Sequence, residues 1–421
     1  MVVPFYAELL SNIQVLRATI ETTDIIDASL FNIKNNQLYL QDDLIVDVSS
    51  LHIKLIPTSL EVNVDDHEID FDRRKNNTLL WHIKINIQRD EQQQQQQSAN
   101  NSLSHEKQWW TSKTISQNNI QYLNCRHCMQ LLLDLNPKDS KNNNLFKCKD
   151  LPSEHWYELV ECWICHEAKP EEHRERMRPI FARQGVLLVG TYYFLIHVND
   201  FFSKDTLKLD YEMANQTDWN RGTTTKWIPV NCGKCGKVLG EGHYEQNKDK
   251  ELKLMEVKIF KYCVNLQPTI DENPSFINFV AGDMINTANA HATRKYLIQG
   301  RKSNQIYALI WLFNWDTTII YNDGFVDNDN DADNENEKKV NICRSENVMK
   351  LFYVDAKHNA ETVKRWTLDK TTDHLVYPDS YCEQLINYLQ KSTNILPAHL
   401  RIMNHPAMIM TKNFSIGFLP Q

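Results

Sequence analysis

The sequence predicts an α+β protein: a β-rich N-terminal domain, a zinc-stapled region of mixed α/β structure, and a small C-terminal part of helix and strand. Two observations support this prediction. The N-terminal residues alternate apolar and polar side chains in short runs split by Asn and Asp, as half-buried antiparallel strands do. Further along the chain, paired cysteines with zinc-ligand spacing precede a stretch that mixes strand-like runs with helical patterns.

The elements follow in order from local patterns. Alternating runs between residues 16 and 87 predict a sandwich-like or barrel-like sheet. Residues 186–198 are rich in β-branched and aromatic side chains and predict one buried strand, and residues 305–315 predict another. Pro378 predicts the start of a helix, with Asp379 as its cap or in its first turn.

Shifts in composition divide the chain into four segments. Residues 1–87 are the predicted β-rich domain, and residues 88–120, which contain an unbroken glutamine tract, are a predicted low-complexity linker. Residues 121–270 form a cysteine-rich middle domain, and residues 271–421 form a C-terminal α+β region. An acidic insertion at 322–339 interrupts this last segment and is expected to be a solvated loop.

Size and charge narrow the class of protein. The chain has 421 residues and a formal net charge of −8, so we expect two or three compact units and no direct binding of nucleic acid, whose phosphates attract basic surfaces. The longest apolar run, residues 185–198, is shorter than the about 20 residues that span a bilayer. We expect a soluble intracellular protein with no membrane segment.

The spacing of the cysteines predicts a metal site. Clustered thiols in a reducing compartment are more often metal ligands than disulfides. Cys125 and Cys128 form one CxxC pair and Cys232 and Cys235 form another, both in knuckle-like contexts. Two such pairs complete a tetrahedral zinc site. We therefore predict one structural zinc ion in the middle domain, with thiols that merely pack as the alternative.

A third group of side chains leaves a second ligand set open. Cys162 and Cys165 repeat the CxxC spacing, and His166 follows directly. These three residues are an alternative set of metal ligands, or the ligands of a second site. No ligand set has the HExxH pattern of a catalytic zinc site.

Cys382 is the candidate nucleophile. It lies four residues after Pro378, in the first turn of the predicted helix. The N–H groups at a helix N-terminus stabilise a thiolate, and a thiolate suits acyl transfer. The alternative is a core residue, because Cys382 shares one helical stripe with Leu385 and Leu389.

Several of these segments, taken together, resemble the HECT-like ubiquitin ligase family that binds ubiquitin-conjugating enzymes. They are LPSEHWYELVECWICHEAKP at residues 151–170, CGKCGKVLGE at residues 232–241, and YPDSYCEQLINYLQKSTNILPAHLR at residues 377–401. The resemblance extends roughly from Asn124 to the end of the chain. It implies a protein that takes ubiquitin from a conjugating enzyme (E2) as a thioester and passes it to substrate lysines.

The resemblance also implies roles for particular residues. Cys382 matches the cysteine that carries ubiquitin in HECT ligases, and the two knuckle pairs match the metal-like pairs of the family. Pro152, Glu154 and Trp156 belong to a partner-binding or structural signature whose centre is Cys165 and His166, and Glu154 could equally be a helix-cap partner. Fungal relatives are linked with pre-mRNA 3′-end cleavage and polyadenylation. The alternative function is therefore a non-catalytic adaptor or stabilising factor for that machinery, and we expect the protein in cytoplasm and nucleus.

Overall fold

The fold is known from a computed structural model. The residues that it describes are 3–22, 27–64, 79–89, 108–136, 146–152, 180–210, 213, 227–246, 252–271, 273–325, 343–403 and 413–421. Within these ranges the protein is rich in β-strands and has few helices, as an α+β fold requires. None of the helices in the described ranges combines the length and the apolar character needed to cross a membrane.

The strands are short, apart from three long ones. In chain order they are β1 Phe5–Leu10, β2 Val15–Thr22, β3 Phe31–Lys34, β4 Gln37–Leu40, β5 Asp43–Asp47, β6 Ile53–Leu55, β7 Glu61–Val64, β8 Leu79–Arg89, β9 Tyr122–Cys125, β10 Leu131–Asp134, β11 Lys147–Asp150, β12 Val186–Val189, β13 Tyr193–His197, β14 Leu207–Leu209, β15 Trp227–Cys232, β16 Val238–Gln246, β17 Leu252–Phe260, β18 Val264–Gln267, β19 Lys295–Gly300, β20 Ile306–Tyr321, β21 Arg344–Asp355, β22 Thr372–Tyr377 and β23 Ser415–Pro420. Among the described residues, the α-helices are α1 Ser112–Gln117, α2 Phe276–His291, α3 Ala360–Thr367 and α4 Asp379–Thr393.

The chain divides into two compact units. One unit, here called the discontinuous unit, consists of residues 1–105 and 283–421. The other, the inserted unit, consists of residues 106–282. This division differs from the four predicted segments, because the β-rich N-terminal segment and the C-terminal α+β region contribute strands to the same sheet.

That shared sheet is the frame of the discontinuous unit. It has ten strands, ordered β22-β19-β20-β1-β2-β8-β6, with β21 beside β20, β23 beside β21, and β7 beside β8. Strand β1 pairs antiparallel with β2 on one side and with β20 on the other, so that Tyr6 lies opposite Tyr321. The pairing of β19 with β22 is parallel.

Strand β1 is buried on both faces, which explains its nearly continuous apolar sequence. Phe5, Ala7 and Leu9 belong to a core that also contains side chains of the small β3-β4-β5 sheet. Tyr6 points to a second core, which contains Phe352 and Trp366. A strand between two cores cannot alternate apolar and polar residues, because both of its faces leave water.

The inserted unit contains two sheets. The larger has seven strands in the order β11-β12-β13-β17-β16-β15-β14, and the smaller has three in the order β10-β9-β18. Strands β9 and β15, from different sheets, each end on a cysteine of a CxxC pair, Cys125 and Cys232.

Three sequence-based expectations differ from the structure. The predicted single strand at 186–198 is a hairpin, β12 and β13, because the chain turns back after Gly190. The predicted linker at 88–120 includes a folded part, because Trp109 and Trp110 are buried and α1 follows them. Asn322, at the start of the predicted acidic loop, is also buried, and its side chain accepts a hydrogen bond from the backbone N–H of Phe5 at 3.1 Å.

Candidate metal centre and the helix that carries Cys382

Four cysteine sulfurs converge in the inserted unit. The Sγ atoms of Cys125, Cys128, Cys232 and Cys235 all lie within 4.8 Å of one another. The sulfurs of Cys125 and Cys235 are 3.8 Å apart, and those of Cys128 and Cys232 are 3.6 Å apart. A tetrahedral zinc ion with Zn–S bonds of about 2.3 Å holds its sulfurs about 3.8 Å apart. The structure therefore brings together the two predicted pairs, and the cluster can hold a metal ion.

The two knuckles have the same backbone geometry. In the first, the N–H of Met129 donates to the carbonyl of Cys125 at 2.9 Å; in the second, the N–H of Gly236 donates to the carbonyl of Cys232 at 2.9 Å. Met129 and Gly236 both have positive φ, 58° and 70°. This conformation turns each chain back on itself and directs both cysteines of a pair to the same point.

Gly233, between the cysteines of the second knuckle, is required by a close approach of backbone. Its N–H donates to the carbonyl of Thr206 at 2.9 Å. A Cβ atom at this position would lie 1.8 Å from the carbonyl oxygen of Asp205. Any side chain at position 233 would therefore displace either the knuckle or the short helical turn beside it.

The protein environment alone does not favour four thiolates. Burial raises the pKa of Cys125 and of Cys232, and the charge of Cys232 raises the pKa of Cys125 further. For Cys128, burial acts in the same direction, but hydrogen bonds from the N–H of Gln130 and from neighbouring thiols outweigh it and lower the pKa. A bound cation removes this repulsion, and four sulfur ligands leave no open position. Four sulfur ligands of this kind could hold a metal ion.

Cys382 lies where the sequence predicts, but its thiol is buried. Helix α4 begins at Asp379 with Pro378 before it, which confirms the predicted helix start. The side chain of Cys382 is 0% exposed. Its Sγ lies 3.5 Å from the carbonyl oxygen of Gln299 and 3.6 Å from that of Tyr377, and either oxygen can accept a hydrogen bond from the neutral thiol.

The surroundings of Cys382 favour the neutral thiol. Burial, followed by the negative charges of Asp379 and Glu383, raises its pKa to about 12. Hydrogen bonds from the backbone of Tyr377, at the end of β22, and of Cys382 itself lower the pKa and are outweighed. The thiolate is the nucleophilic form of cysteine, so a raised pKa leaves little of the reactive form at neutral pH.

Asp379 fixes the start of α4 against the turn between β19 and β20. Its carboxylate accepts hydrogen bonds from the N–H of Lys302 at 3.0 Å, the N–H of Ser303 at 3.3 Å and the hydroxyl of Tyr307 at 3.1 Å. Burial raises its pKa, but these hydrogen bonds outweigh burial, and the net pKa is lowered. Pro378 is the N-cap of α4, so Asp379 lies in the first turn rather than at the cap, the other position that the sequence predicted for it.

Most of the partner-binding signature lies outside the described residues. Pro152 is exposed at the end of a described range. The other candidates lie outside the described residues: Glu154, Trp156, Cys162, Cys165 and His166. The alternative metal set and the E2-binding signature therefore stay predictions from sequence.

Sequence reasoning missed a buried pair on the larger sheet of the inserted unit. Nδ1 of His243 lies 3.2 Å from Oε1 of Glu256, and both side chains are buried. Glu256 also accepts a hydrogen bond from the N–H of Ala182. Strands β16 and β17 place the two residues directly opposite each other. The sequence carries only a weak signal for this pair. His243 and Glu256 lie in two strands, and their proximity follows only once the pairing register of β16 and β17 is known.

Comparison with known proteins points to one family. The family model described as HECT-like ubiquitin-conjugating enzyme (E2)-binding matches residues 8–407. A protein from Bos taurus that is named as an E3 ubiquitin-protein ligase is 24% identical over 304 residues, which cover 70% of this chain and 71% of the relative. The protein of the same name from Homo sapiens is 24% identical over 306 residues, with 70% and 71% covered.

A fungal protein is similar over the same extent. An uncharacterized protein of Saccharomyces cerevisiae is 21% identical over 301 residues, which cover 69% of each chain. No solved structure matches this chain. The similarity extends well beyond the cysteine pairs, because the family match begins in β1 and ends beyond α4.

Proposed function

The chain belongs to the HECT-like ubiquitin-conjugating enzyme (E2)-binding family, and from this membership we propose that it binds a ubiquitin-loaded E2 and promotes the transfer of ubiquitin to substrate lysines. The observation that carries this proposal is the family match over residues 8–407, nearly the whole chain. Mammalian relatives that are named as E3 ubiquitin-protein ligases support it.

The proposed route is direct transfer from the E2. The substrate lysine amine attacks the thioester carbonyl on the E2, the C–N bond of the isopeptide forms, the C–S bond breaks, and the E2 thiol leaves. The amine loses its proton to solvent or to a nearby base. This route is favoured here because it does not need an ionised Cys382, whose thiol is buried and hydrogen-bonded to two carbonyl groups.

A second candidate route passes through Cys382, as the resemblance to HECT ligases predicts. Cys382 would attack the E2 thioester, hold ubiquitin as its own thioester and then release it to lysine. Its position in the first turn of α4 favours this route. The route requires the start of α4 to separate from β19 and β22, because the Sγ atom packs against the carbonyl groups of Gln299 and Tyr377.

We further propose that the four-cysteine cluster holds a structural zinc ion. Its two short sulfur–sulfur distances, 3.6 and 3.8 Å, fit tetrahedral zinc coordination. The ion would join β9 of the smaller sheet to β15 of the larger sheet, and so stabilise the inserted unit. It would take no part in ubiquitin chemistry.

A discharge assay tests the proposal. The protein is mixed with E2 that carries ubiquitin as a thioester, free lysine is added, and loss of the thioester is followed on nonreducing gels. We expect wild-type protein and Cys382→Ser to accelerate discharge equally, with no thiol-sensitive adduct on this chain. An adduct that disappears in Cys382→Ser would establish the second route. A wild-type protein that neither binds E2 nor accelerates discharge would reject the proposed function.

The role in pre-mRNA 3′-end processing stays a prediction of the sequence resemblance, as does the location in cytoplasm and nucleus. The described residues offer no observation that favours either one. The discharge assay does not depend on them.

A further inference from the structure

The side chain of Gln130 joins the two knuckles of the cysteine cluster directly. Its oxygen Oε1, in the first knuckle, accepts a hydrogen bond from the backbone N–H of Lys234 at 3.0 Å. The same oxygen lies 3.0 Å from Sγ of Cys232 and accepts its thiol hydrogen. Because Lys234 lies between Cys232 and Cys235, the side chain of Gln130 contacts the turn that carries both cysteines of the second knuckle.

Gln130 supports the first knuckle as well, through its backbone. Its carbonyl accepts the N–H of Cys125 at 2.8 Å, and its own N–H hydrogen-bonds to Cys128. Strand β10 of the smaller sheet begins at the next residue, Leu131. The backbone of Gln130 therefore contacts both cysteines of its own pair, while its side chain contacts the other pair.

The turn of a knuckle does not by itself require a glutamine at this position. Lys237 is the equivalent residue of the second knuckle, and its carbonyl accepts the N–H of Cys232 at 2.8 Å, just as that of Gln130 accepts the N–H of Cys125. Lys237 is exposed, whereas Gln130 is half-buried. Since backbone geometry accounts for both turns, the contact of the Gln130 side chain with the second knuckle needs a separate explanation.

The amide oxygen of Gln130 suits a connection that persists when a metal ion binds. A backbone N–H requires an acceptor, and the oxygen of a carboxamide supplies one. A metal ion that replaces the thiol hydrogen of Cys232 ends the hydrogen bond from that thiol, but it leaves the N–H of Lys234 in place. The hydrogen bond from Lys234 can therefore hold the second knuckle both before and after metal binding.

We propose that Gln130 is a positioning residue of the metal cluster, which acts through Lys234 to hold the second knuckle where all four sulfurs can share one ion. This inference rests on the proposed zinc site. The knuckles extend from strands of different sheets, β9 and β15, so a contact between them limits how far they can separate. Ligands that are already in place lose less freedom on binding, and side chains that orient metal ligands typically raise metal affinity about 10- to 100-fold.

Gln130→Met tests the proposal in the full-length protein. Methionine keeps the length of the side chain but offers Lys234 only a weak sulfur acceptor. We expect the affinity for zinc to fall about tenfold, and zinc to pass to a chelator faster by a similar factor. Competition with a chromophoric chelator measures both quantities. Gln121→Met is the matched control, because Gln121 is an exposed glutamine of the same unit, and we expect it to keep the wild-type values.

Two further measurements separate positioning from a loss of folding. With Co²⁺ in place of zinc, Gln130→Met should keep the absorption bands of a tetrahedral four-sulfur site while it binds Co²⁺ more weakly. In the metal-free protein, the backbone N–H of Lys234 should exchange with deuterium faster in Gln130→Met than in wild type or Gln121→Met. The melting temperature of the metal-free variant should stay within about 3 °C of metal-free wild type.

The outcomes distinguish this inference from the zinc site on which it rests. If the wild-type protein binds no metal, both fall. If the wild type binds zinc and Gln130→Met binds and releases it at the wild-type affinity and rate, only the role of Gln130 falls. That role falls too if Gln121→Met weakens binding as much, or if metal-free Gln130→Met melts well below metal-free wild type, because a loss of folding would then explain the weaker binding.

Discussion

The thiol of Cys382 lies in the first turn of α4, where backbone N–H groups favour a thiolate, yet two stronger effects favour the neutral form. Removal from water penalises the charged thiolate, and the carboxylates of Asp379 and Glu383 repel it, so the pKa rises to about 12. Position in a helix is readable from sequence, but the depth of burial that outweighs it is not.

The rate of alkylation should show that burial makes the Cys382 thiol unreactive. In the native protein at pH 8 we expect iodoacetamide to label Cys382 at least about 100-fold more slowly than Cys343, which is exposed. Labelling of each peptide is followed by mass spectrometry, with urea-unfolded protein as the control in which both react. Equal rates in the native state would mean that Cys382 is accessible and ready to act as a nucleophile.

Cys128 is the residue with which to test the metal. Cys128→Ser removes one of four sulfur ligands, so we expect loss of most of the bound zinc and a melting temperature lower by roughly 10 °C. Metal content is measured by mass spectrometry of the purified protein, and Cys343→Ser, outside the cluster, serves as the control. Wild-type protein with no bound metal, or a variant with the wild-type content, would contradict the proposed zinc site.

At the scale of elements, α4 depends on a carboxylate that joins it to a neighbouring turn. Asp379 accepts hydrogen bonds from Lys302, Ser303 and Tyr307, and its pKa is lowered despite burial. A group whose pKa is lower in the folded state stabilises the fold above its unfolded pKa of about 3.9. This stabilisation is lost as the pH falls through the lower folded value.

Asp379→Asn should therefore have a pH-dependent cost. We expect the free energy of unfolding to drop by about 1 kcal/mol at pH 7, a value that allows for the partial solvent exposure of Asp379. Near pH 2 we expect a smaller drop, because part of the carboxylate is then protonated in the wild type as well. Urea unfolding at both pH values measures the difference. Glu361→Gln, an exposed acid in the first turn of α3, should change little. An equal loss of unfolding free energy at both pH values would show that the charge of the Asp379 carboxylate does not cause the loss.

The geometry of the metal cluster depends partly on local sequence and partly on contacts between distant parts of the chain. Each CxxC pair forms its own tight turn, which is why the pairs are evident in sequence. Their convergence depends on β9 and β15, which belong to different sheets. The knuckle-like contexts of the two CxxC pairs predict that Cys125 and Cys128 join Cys232 and Cys235, and all four sulfurs lie within 4.8 Å of one another.

At the scale of the whole molecule, residues from both ends of the chain build one sheet. Strand β1 lies between β2 and β20, and Lys350 of β21 forms an ion pair with Glu8 of β1 at 2.7 Å. The family match, which begins at residue 8 and continues to residue 407, runs through both parts of this sheet.

Deletion of residues 1–22 tests this arrangement. It removes β1 and β2, exposes one edge of β20 and opens the core that contains Phe5 and Leu16. We expect the discontinuous unit to lose its cooperative thermal transition. We also expect rapid alkylation of Cys382, because this residue, although far away in sequence, belongs to the same unit. If Cys382 stays protected, the C-terminal region folds without the N-terminal strands, as the predicted separate domains would.

Local patterns were sufficient for the features that depend on neighbours in sequence. The helix start at Pro378 follows from the fixed φ of proline, the knuckle turns follow from CxxC spacing, and the family resemblance follows from short motifs. Four features were decided only by tertiary structure. They are the pairing of β1 with β20, the hairpin at residues 186–198, the His243–Glu256 pair and the burial of Cys382. Strand partners and burial depend on contacts between residues far apart in sequence, and local periodicity does not identify those contacts.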